Sequence, residues 1–302
     1  MRRNIPPRSS SPSSRASSGR AAGEGALVNP QRLTLALVTD VFPEPEEHER
    51  LAARLRAARA RGAQLAVLPE LPLNRWAPAT RTPSGADAEP PGGPRASALA
   101  QAARTAGLAV LGGAIVRDRS SGRRHNTALL FDPTGEERLG YRKIHLPDEE
   151  GYWEAHHYEP GDRLHAPVDV GGFGIGVQVC SDANRPQGCN ALAAMGAEVI
   201  LVPRATPAET WRRWRLVLCA DAVTSCAYVV SVNRPGARSG GIIGGPSMVS
   251  DPSGAVLVET TDPVAVVTLE KAALEHARSQ YPGYLDVRAD VYERAWRDVA
   301  GG

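Results

Sequence analysis

The sequence predicts an α/β fold of the layered αββα kind, and three observations point to it. Short apolar strands alternate with Ala-rich or amphipathic helical stretches from about residue 33 onward, the pattern that places helices over sheets. The turn Phe131-Asp-Pro-Thr-Gly135 recurs in kind as Met248-Val-Ser-Asp-Pro-Ser-Gly254, so two β-turn-β units suggest two similar halves. A chain of 302 residues, 42% hydrophobic and 23% charged, can bury a substantial core in one large domain or two small ones.

Residues 1–30 carry Arg2, Arg3, Arg8, Arg15 and Arg20 against Glu24 alone, among Ser, Pro, Gly and Ala. A segment so poor in apolar residues cannot offset its ordering entropy, and it is expected to be a disordered basic tail. A strand is expected over 33–39 and a helix over 46–61, with Leu51, Leu55 and Ala58 on one face and Gly62 in the stop position. A strand over 64–68 runs into Pro69-Glu70. The Pro/Gly/Ala-rich residues 77–94 form a loop. A helix over 95–106, closed by Gly107, precedes a strand over 108–116, and another strand covers 126–131. The apolar run over 174–180 reads as a strand ending at Cys180. Beyond it come a helix over 188–195, a strand over 198–202, a long helix over 211–225 and a strand over 228–232. The folded domain is expected over 31–295, with a C-terminal tail at 296–302.

Composition excludes several function classes. No apolar run reaches the roughly 18 residues of a membrane span, and the N-terminus lacks a signal-peptide h-region, so the expected location is cytoplasmic. The tail's +4 accounts for more than the net +2, which leaves −2 on the remainder and no basic body for nucleic acid. Cys180, Cys189, Cys219 and Cys226 show no C-x2-C spacing, so free thiols are expected, with no metal and no cofactor.

Three chemically capable residues sit in comparable strand-end contexts: Glu70 after Val67-Leu-Pro, Lys143 within Tyr141-Arg-Lys-Ile-His-Leu146, and Cys180 after Gly176-Val-Gln-Val. A thiol at the carboxyl end of a buried strand is held rigidly while facing the crevice where α/β sheets bind ligands. A free cysteine is otherwise most often a small buried hydrophobe. A carboxylate beside the thiol can take its proton and later activate water, and a lysine can stabilise the oxyanion formed on attack. Only two lysines occur against 33 arginines, so a lysine here marks a place that suits a compact point charge.

These residues, with Leu68-Pro-Glu70, Tyr141-Arg-Lys143-Ile-His-Leu and Val179-Cys180-Ser-Asp182 in that order, resemble the nitrilase, or carbon–nitrogen hydrolase, superfamily. The resemblance runs from about Leu33 to Tyr292 through Asn126-Thr-Ala, Glu159-Pro-Gly-Asp162, Gly196-Ala-Glu-Val-Ile200 and Ser247-Met-Val-Ser-Asp-Pro-Ser-Gly254. It implies a four-layer αββα sandwich that forms a homodimer or higher homo-oligomer through its helices. It also implies a triad of Glu70 as base, Lys143 as oxyanion stabiliser and Cys180 as nucleophile. Glu154, in Gly151-Tyr-Trp-Glu154, matches a family glutamate that contacts the lysine and the substrate amide. Asn126, Trp153, Ser181, Asp182 and Arg204 are the candidate substrate-binding residues.

The Asp two positions after the cysteine looks like amide and carbamoyl hydrolases, in the style of the N-carbamoylputrescine amidase and β-ureidopropionase-like branches. The implied substrate is a small linear amide or N-carbamoyl amine. The alternatives are a nitrilase acting on nitriles, or a catalytically silent member that serves as a binding or assembly subunit. Departures from the family pattern cluster after the cysteine, where Arg185-Pro186-Gln187 and Asn190 replace a Phe-Pro-Glu and an arginine. Others fall at Asp221, Thr224 and Asp286-Val287-Arg288. Arg204 stands at a strand end where relatives usually have a small residue. It could hold a substrate carboxylate or phosphate by bidentate hydrogen bonds, or else pack along the surface or pair with a nearby acid.

Other signals favour structural readings. Gly172-Phe-Gly-Ile-Gly176 precedes a strand, unlike a dinucleotide fingerprint, and Gly240-Gly-Ile-Ile-Gly-Gly-Pro-Ser247 lacks the Gly-Lys-Ser/Thr of a phosphate loop, so it is expected to be a flexible loop near the pocket mouth. No Gly-x-Ser-x-Gly elbow exists. His156 and His157 lack a metal-binding partner one turn away, and Trp211 and Trp214 read as core or interface anchors.

Overall fold

A computed structural model describes residues 31–236 and 243–301. The tail expected at 1–30 and residues 240–242 of the glycine-rich loop lie outside the described residues.

Two sheets carry the fold. The first contains β1 (Arg32–Leu37), β2 (Leu65–Val67), the two-residue β3 (Ala88–Glu89), β4 (Ala109–Arg117), β5 (Arg124–Phe131) and β6 (Glu137–Arg142). The second contains β7 (Val168–Val170), β8 (Phe173–Val177), β9 (Val199–Arg204), β10 (Tyr228–Asn233), β11 (Ser247–Ser250) and β12 (Val256–Thr260), after which β13 (Ala265–Glu270) returns to the edge of the first sheet. The orders are β13-β1-β2-β4-β5-β6, with β3 beside β4, and β12-β11-β10-β9-β8-β7. Each sheet has three adjacent parallel strands, β1-β2-β4 or β8-β9-β10. Each continues into an antiparallel meander, β4-β5-β6 or β10-β11-β12. The repeated Asp-Pro-Thr/Ser-Gly turns join the equivalent pairs β5–β6 and β11–β12. In both, the Asp side chain arrests the turn: Asp132 Oδ1 accepts from the Thr134 and Glu136 amides, and Asp251 Oδ1 from those of Ser253 and Ala255.

Strand alternation explains the layering. Leu33, Leu35 and Leu37 of β1 join Phe173, Ile175, Val230 and Val232 in the core between the sheets. Ala36 and Val38 face the other way, against Leu51 and Leu55 of α1 (His48–Ala60) and Leu99 and Ala103 of α2 (Pro94–Ala106). Two further helices, α4 (Pro186–Ala194) and α5 (Trp211–Ser225), bury Leu192, Trp214, Leu218 and Ala222 against the second sheet, completing the αββα order. Between the two halves lies the one-turn α3 (Glu154–His157), and after β13 come α6 (Lys271–Ser279) and α7 (Ala289–Gly301). Each fully buried leucine contributes about 1.5–3 kcal/mol through its removal from water.

Helix ends follow local chemistry. Gly107 adopts φ 64°, and its amide closes α2 onto Ala103 and Arg104. Gly93 offers no capping side chain at the other end, so buried Glu89 reaches over and accepts from the Arg95 and Ala96 amides at 2.9 Å each.

Most boundaries shift from the sequence reading by one or two residues, and two differ by more. The strand expected to reach Cys180 ends at Val177, and Cys180–Asn184 forms a 3-10 turn, because the Asp182 carboxylate captures the Val179 amide at 3.1 Å and bends the chain. The boundary expected at 295/296 falls inside α7, which runs to Gly301.

Candidate active site

The three strand-end positions converge. Glu70 follows β2 by three residues, Lys143 follows β6 directly, and Cys180 lies three residues beyond β8. Backbone contacts fix each one. The Lys143 amide donates to Asn126 O at 2.9 Å and its carbonyl accepts from Gly161 at 2.8 Å, so the Glu159-Pro-Gly-Asp162 turn clamps the lysine to β5. A side chain at Gly161 would meet the Arg142 carbonyl, which is why this turn needs glycine. Arg234, after β10, donates to the carbonyls of Glu70 at 2.9 Å, Leu71 at 2.5 Å and Asn74 at 3.2 Å, holding the loop that bears Glu70. Cys180 itself sits at φ 48° and Leu71, next to Glu70, at φ 47°. Left-handed backbone at non-glycine residues costs about 1–3 kcal/mol and gathers where surroundings over-determine a geometry.

Side chains meet in a buried cluster. Lys143 Nζ donates to Glu70 Oε1 at 2.8 Å and Glu154 Oε1 at 2.5 Å. Asn126 Nδ2 bridges the same carboxylates, at 2.8 Å to Glu70 Oε1 and 3.2 Å to Glu154 Oε2. Glu70 Oε2 is buried and has no hydrogen-bond partner among the described residues. Burial opposes the lysine's charge, yet Glu154 and Glu70 outweigh it and hold its pKa well above the ordinary value. Burial raises Glu154 to about 7, aided by the negative Glu70 and opposed by Lys143. Burial, then the charge of Glu70, pushes the Cys180 thiol well up, while Lys143 and a hydrogen bond from the Ala205 amide pull it down. The resting sulfur is therefore a thiol, and its ionisation depends on a proton acceptor at hand.

The remaining candidates hold the frame. Asp182 is buried, and its carboxylate accepts from Tyr141 Oη at 2.8 Å, the Ile144 amide at 3.2 Å, the His145 amide at 2.8 Å and the Val179 amide at 3.1 Å, with His145 Nδ1 at 2.8 Å. It ties the segment after Lys143 to the turn that carries Cys180. Ser181 Oγ donates to the His145 carbonyl at 2.5 Å, reinforcing the same junction. Trp153 packs under the Arg81 guanidinium, 3.8 Å from its ring centroid, and edge-on to His156.

The Arg204 expectation is corrected. Its side chain is fully buried, and each guanidinium nitrogen donates to an internal acceptor: Ser231 Oγ, Thr206 Oγ1 and the Pro246 carbonyl, all at 2.6 Å. It is neither a surface arginine nor turned out to a ligand.

Sequence reasoning gave no role to Arg234, Ala205 or Tyr152. Tyr152 stacks edge-on with Trp76 at 5.8 Å, and burial followed by the charges of Cys180 and Glu70 raises its hydroxyl pKa. The Asn233-Arg234-Pro235 break after a strand was the available signal for Arg234. All four cysteines are free thiols. Among the described residues no His/Cys/Asp/Glu cluster could hold a metal ion, and no helix is long and apolar enough to cross a membrane.

The carbon–nitrogen hydrolase family model matches residues 33–277. The chain belongs to the carbon–nitrogen hydrolase family. An (R)-stereoselective amidase from a Pseudomonas species is 35% identical over 206 residues, 67% of this chain and 72% of the relative. The N-carbamoylputrescine amidase of Solanum lycopersicum is 27% identical over 292 residues, 90% and 96% of the two chains. The deaminated glutathione amidase of Synechocystis is 30% identical over 172 residues, 54% of this chain and 63% of that relative, so the match spans less than two thirds of its length. Among solved structures, Nit3 of Saccharomyces cerevisiae, in branch 10 of the nitrilase superfamily, shares the fold at TM-score 0.76 and 22% identity, covering 88% of this chain and 100% of Nit3. A mutant of the Nesterenkonia sp. AN1 amidase, carrying the acetamide moiety of fluoroacetamide covalently on its active-site cysteine, superposes at TM-score 0.72 with 26% identity, covering 91% of this chain and 100% of the amidase.

Proposed function

We propose that this carbon–nitrogen hydrolase cleaves a small linear amide or N-carbamoyl amine through a thioester on Cys180. The observation that carries the reading is the division of labour on Glu70: Oε1 is held by Lys143 and Asn126, while Oε2 remains unpartnered among the described residues. A buried carboxylate oxygen without a donor is what a base needs beside a thiol that ionises only on demand.

In this mechanism the Cys180 proton passes to Glu70 as sulfur attacks the carbonyl carbon. Lys143 has three N–H donors and gives two to carboxylates, which leaves one for the developing oxyanion. Glu70 returns the proton to the departing nitrogen, the C–N bond breaks, and ammonia or an amine leaves. Glu70 then takes a proton from water, which attacks the thioester, and the acid departs with the thiol restored. Glu154, whose carboxyl pKa is pushed up by burial, braces Lys143 and the substrate amide.

The amide preference draws support from the amidase names of the relatives and from the acetamide adduct on the Nesterenkonia enzyme's cysteine. Ammonia release should be followed on a panel of carbamoyl amines, ω-amides and nitriles, with the Cys180 acyl adduct weighed by mass spectrometry. Turnover surviving in Cys180→Ala ends the reading. A nitrile converted to acid faster than its amide reassigns the chain to nitrile hydrolysis, and silence across the panel points to a non-catalytic subunit.

Self-association fits the same reading. Leu216 on α5 is exposed, as are Tyr284, Leu285, Tyr292 and Trp296 toward the C-terminus, and α7 buries no residue in the isolated chain. A homodimer covering these surfaces would elute at twice the chain mass by light scattering, and a monomer at micromolar concentration would refute it.

A further inference from the structure

We propose that Arg204 is a positioning residue of the hydrolytic site, one that anchors the strand end bonded to the Glu70 amide and lying beside the strand that leads into Cys180, and whose charge offsets the negative charge gathering on the Cys180 sulfur. The inference rests on Cys180 being the nucleophile.

The first half of the argument is geometric. Arg204 closes β9, and its carbonyl accepts from the Glu70 amide at 3.4 Å and the Arg234 amide at 3.1 Å. The same strand pairs in parallel with β8, which leads into Cys180: Val177 lies opposite Leu201, and the Gln178 amide donates to the Leu201 carbonyl at 3.0 Å. Base and nucleophile, borne by different sheets, are therefore both referenced to this one strand. The side chain fixes its end. Ser231 Oγ donates to the Val202 carbonyl at 2.8 Å, which turns its lone pair toward Arg204 Nε. Thr206 Oγ1, the acceptor for Nη1, contacts Asn233 Oδ1 at 3.4 Å, and Nη2 reaches Pro246 beyond β10. Trp211 and Trp214 flank the guanidinium, with ring centroids 5.2 and 5.5 Å away.

The second half is electrostatic. Every acceptor of Arg204 is neutral, and among the described residues its guanidinium forms no ion pair. Burying a charge without a counter-ion is costly, so packing alone is a poor reason to place arginine here. Burial lowers its pKa to about 10, with Cys180 and Glu70 opposing, so it stays charged at neutral pH and lies within electrostatic reach of both. Lys143 already serves two carboxylates. A thiolate at Cys180 adds a further negative charge to that pocket, and Arg204 is a buried cation within electrostatic reach of it that forms no ion pair among the described residues.

The test reads the thiol directly. Alkylation of Cys180 by iodoacetamide, quantified on its own peptide by mass spectrometry, is followed against pH for the full chain and for Arg204→Met, Arg204→Lys and Ser231→Ala, together with kcat and KM on any amide turned over. Arg204→Met should raise the midpoint of the alkylation profile by about one pH unit, a roughly tenfold slower reaction near neutrality, and lower kcat with KM little changed. Arg204→Lys should restore most of the profile, and Ser231→Ala should shift it the same way by less. A folded Arg204→Met with an unshifted profile overturns the proposal, as does a raised KM at constant kcat. If Arg204→Met does not fold, Ser231→Ala decides on the same profile. Because alkylation needs no substrate, a shifted profile with no acyl adduct from any amide would refute the hydrolytic reading while leaving Arg204's effect on the thiol in place.

Discussion

Replacing Asp182 by asparagine tests how the two halves of the site are joined. The carboxylate accepts hydrogen bonds from Tyr141, Val179, Ile144 and the His145 backbone, with the His145 ring in contact as well. Asparagine keeps one acceptor oxygen and turns an NH2 toward groups that are themselves donors. Hydrogen bonds to a charged group contribute about 1.5–3 kcal/mol each. With the donors around one oxygen left facing an amide nitrogen, the loss is about 3–5 kcal/mol, comparable to breaking a buried ion pair. For a domain of this size that corresponds to a fall in Tm on the order of 5–15 °C. The junction between Lys143 and Cys180 would also loosen, and a misplacement of about 1 Å can cost about a hundredfold in rate. Urea denaturation and differential scanning calorimetry measure the first effect, and kcat/KM the second. A variant that melts within about 1 °C of the parent and keeps its activity would refute this account of the junction.

Gly161→Ala places a methyl group against the Arg142 carbonyl and should push Lys143 off its register, lowering kcat/KM by tenfold or more with little change in the melting of the sheets; unchanged kinetics would show that the turn is not needed to hold the lysine. Lys143→Arg keeps the charge but overfills a fully buried slot between two carboxylates, and kcat should fall by about 10²–10³-fold; activity within a few-fold of the parent would count against Lys143 as the oxyanion donor. Asp221 lies buried with Oδ2 unpartnered among the described residues, and burial raises its pKa to about 7 despite a hydrogen bond from Cys189. The folded state holds that proton more tightly than the unfolded chain, so the stability it provides is complete below about pH 4 and is lost as pH rises toward 7. Asp221→Asn should stabilise the protein by a few kcal/mol at about pH 8 and by little near pH 4, and urea midpoints showing no pH-dependent gain would contradict the assignment.

Strands with one-sided or fully apolar runs were legible because burial dictates them: β1, β4, β9 and β10 fall within a few residues of expectation, and α5 matches at both ends. The duplicated Asp-Pro turn was a local signal that reported a global symmetry. The turn at Cys180 was misread because Val177, Gln178 and Val179 continue an extended pattern, while what ends the strand is a carboxylate two residues past the thiol capturing the chain. β13 went unread although Ala265, Val266, Val267 and Leu269 are apolar, since its partner β1 lies more than 200 residues away and pairing at that distance leaves no local mark. The roles of Asn126 and Arg204 depend on what surrounds them. An amide that braces two carboxylates and an arginine sealed among hydroxyls look, in one dimension, like surface ligands.

Glu70, Asn126 and Lys143 hang from the first sheet, while Cys180 and Ala205 hang from the second. On the proposed mechanism neither sheet alone owns a working set, so reactivity depends on how the two layers sit against each other. Sliding one layer over the other by a fraction of a residue repeat would leave every strand paired and every helix docked, yet would draw the sulfur away from its proton acceptor. On the proposed mechanism the resistance of the two layers to shear would matter to the chemistry as well as the melting temperature. The crossing of β13 back to β1, six residue pairs long, is the bolt that resists that slip.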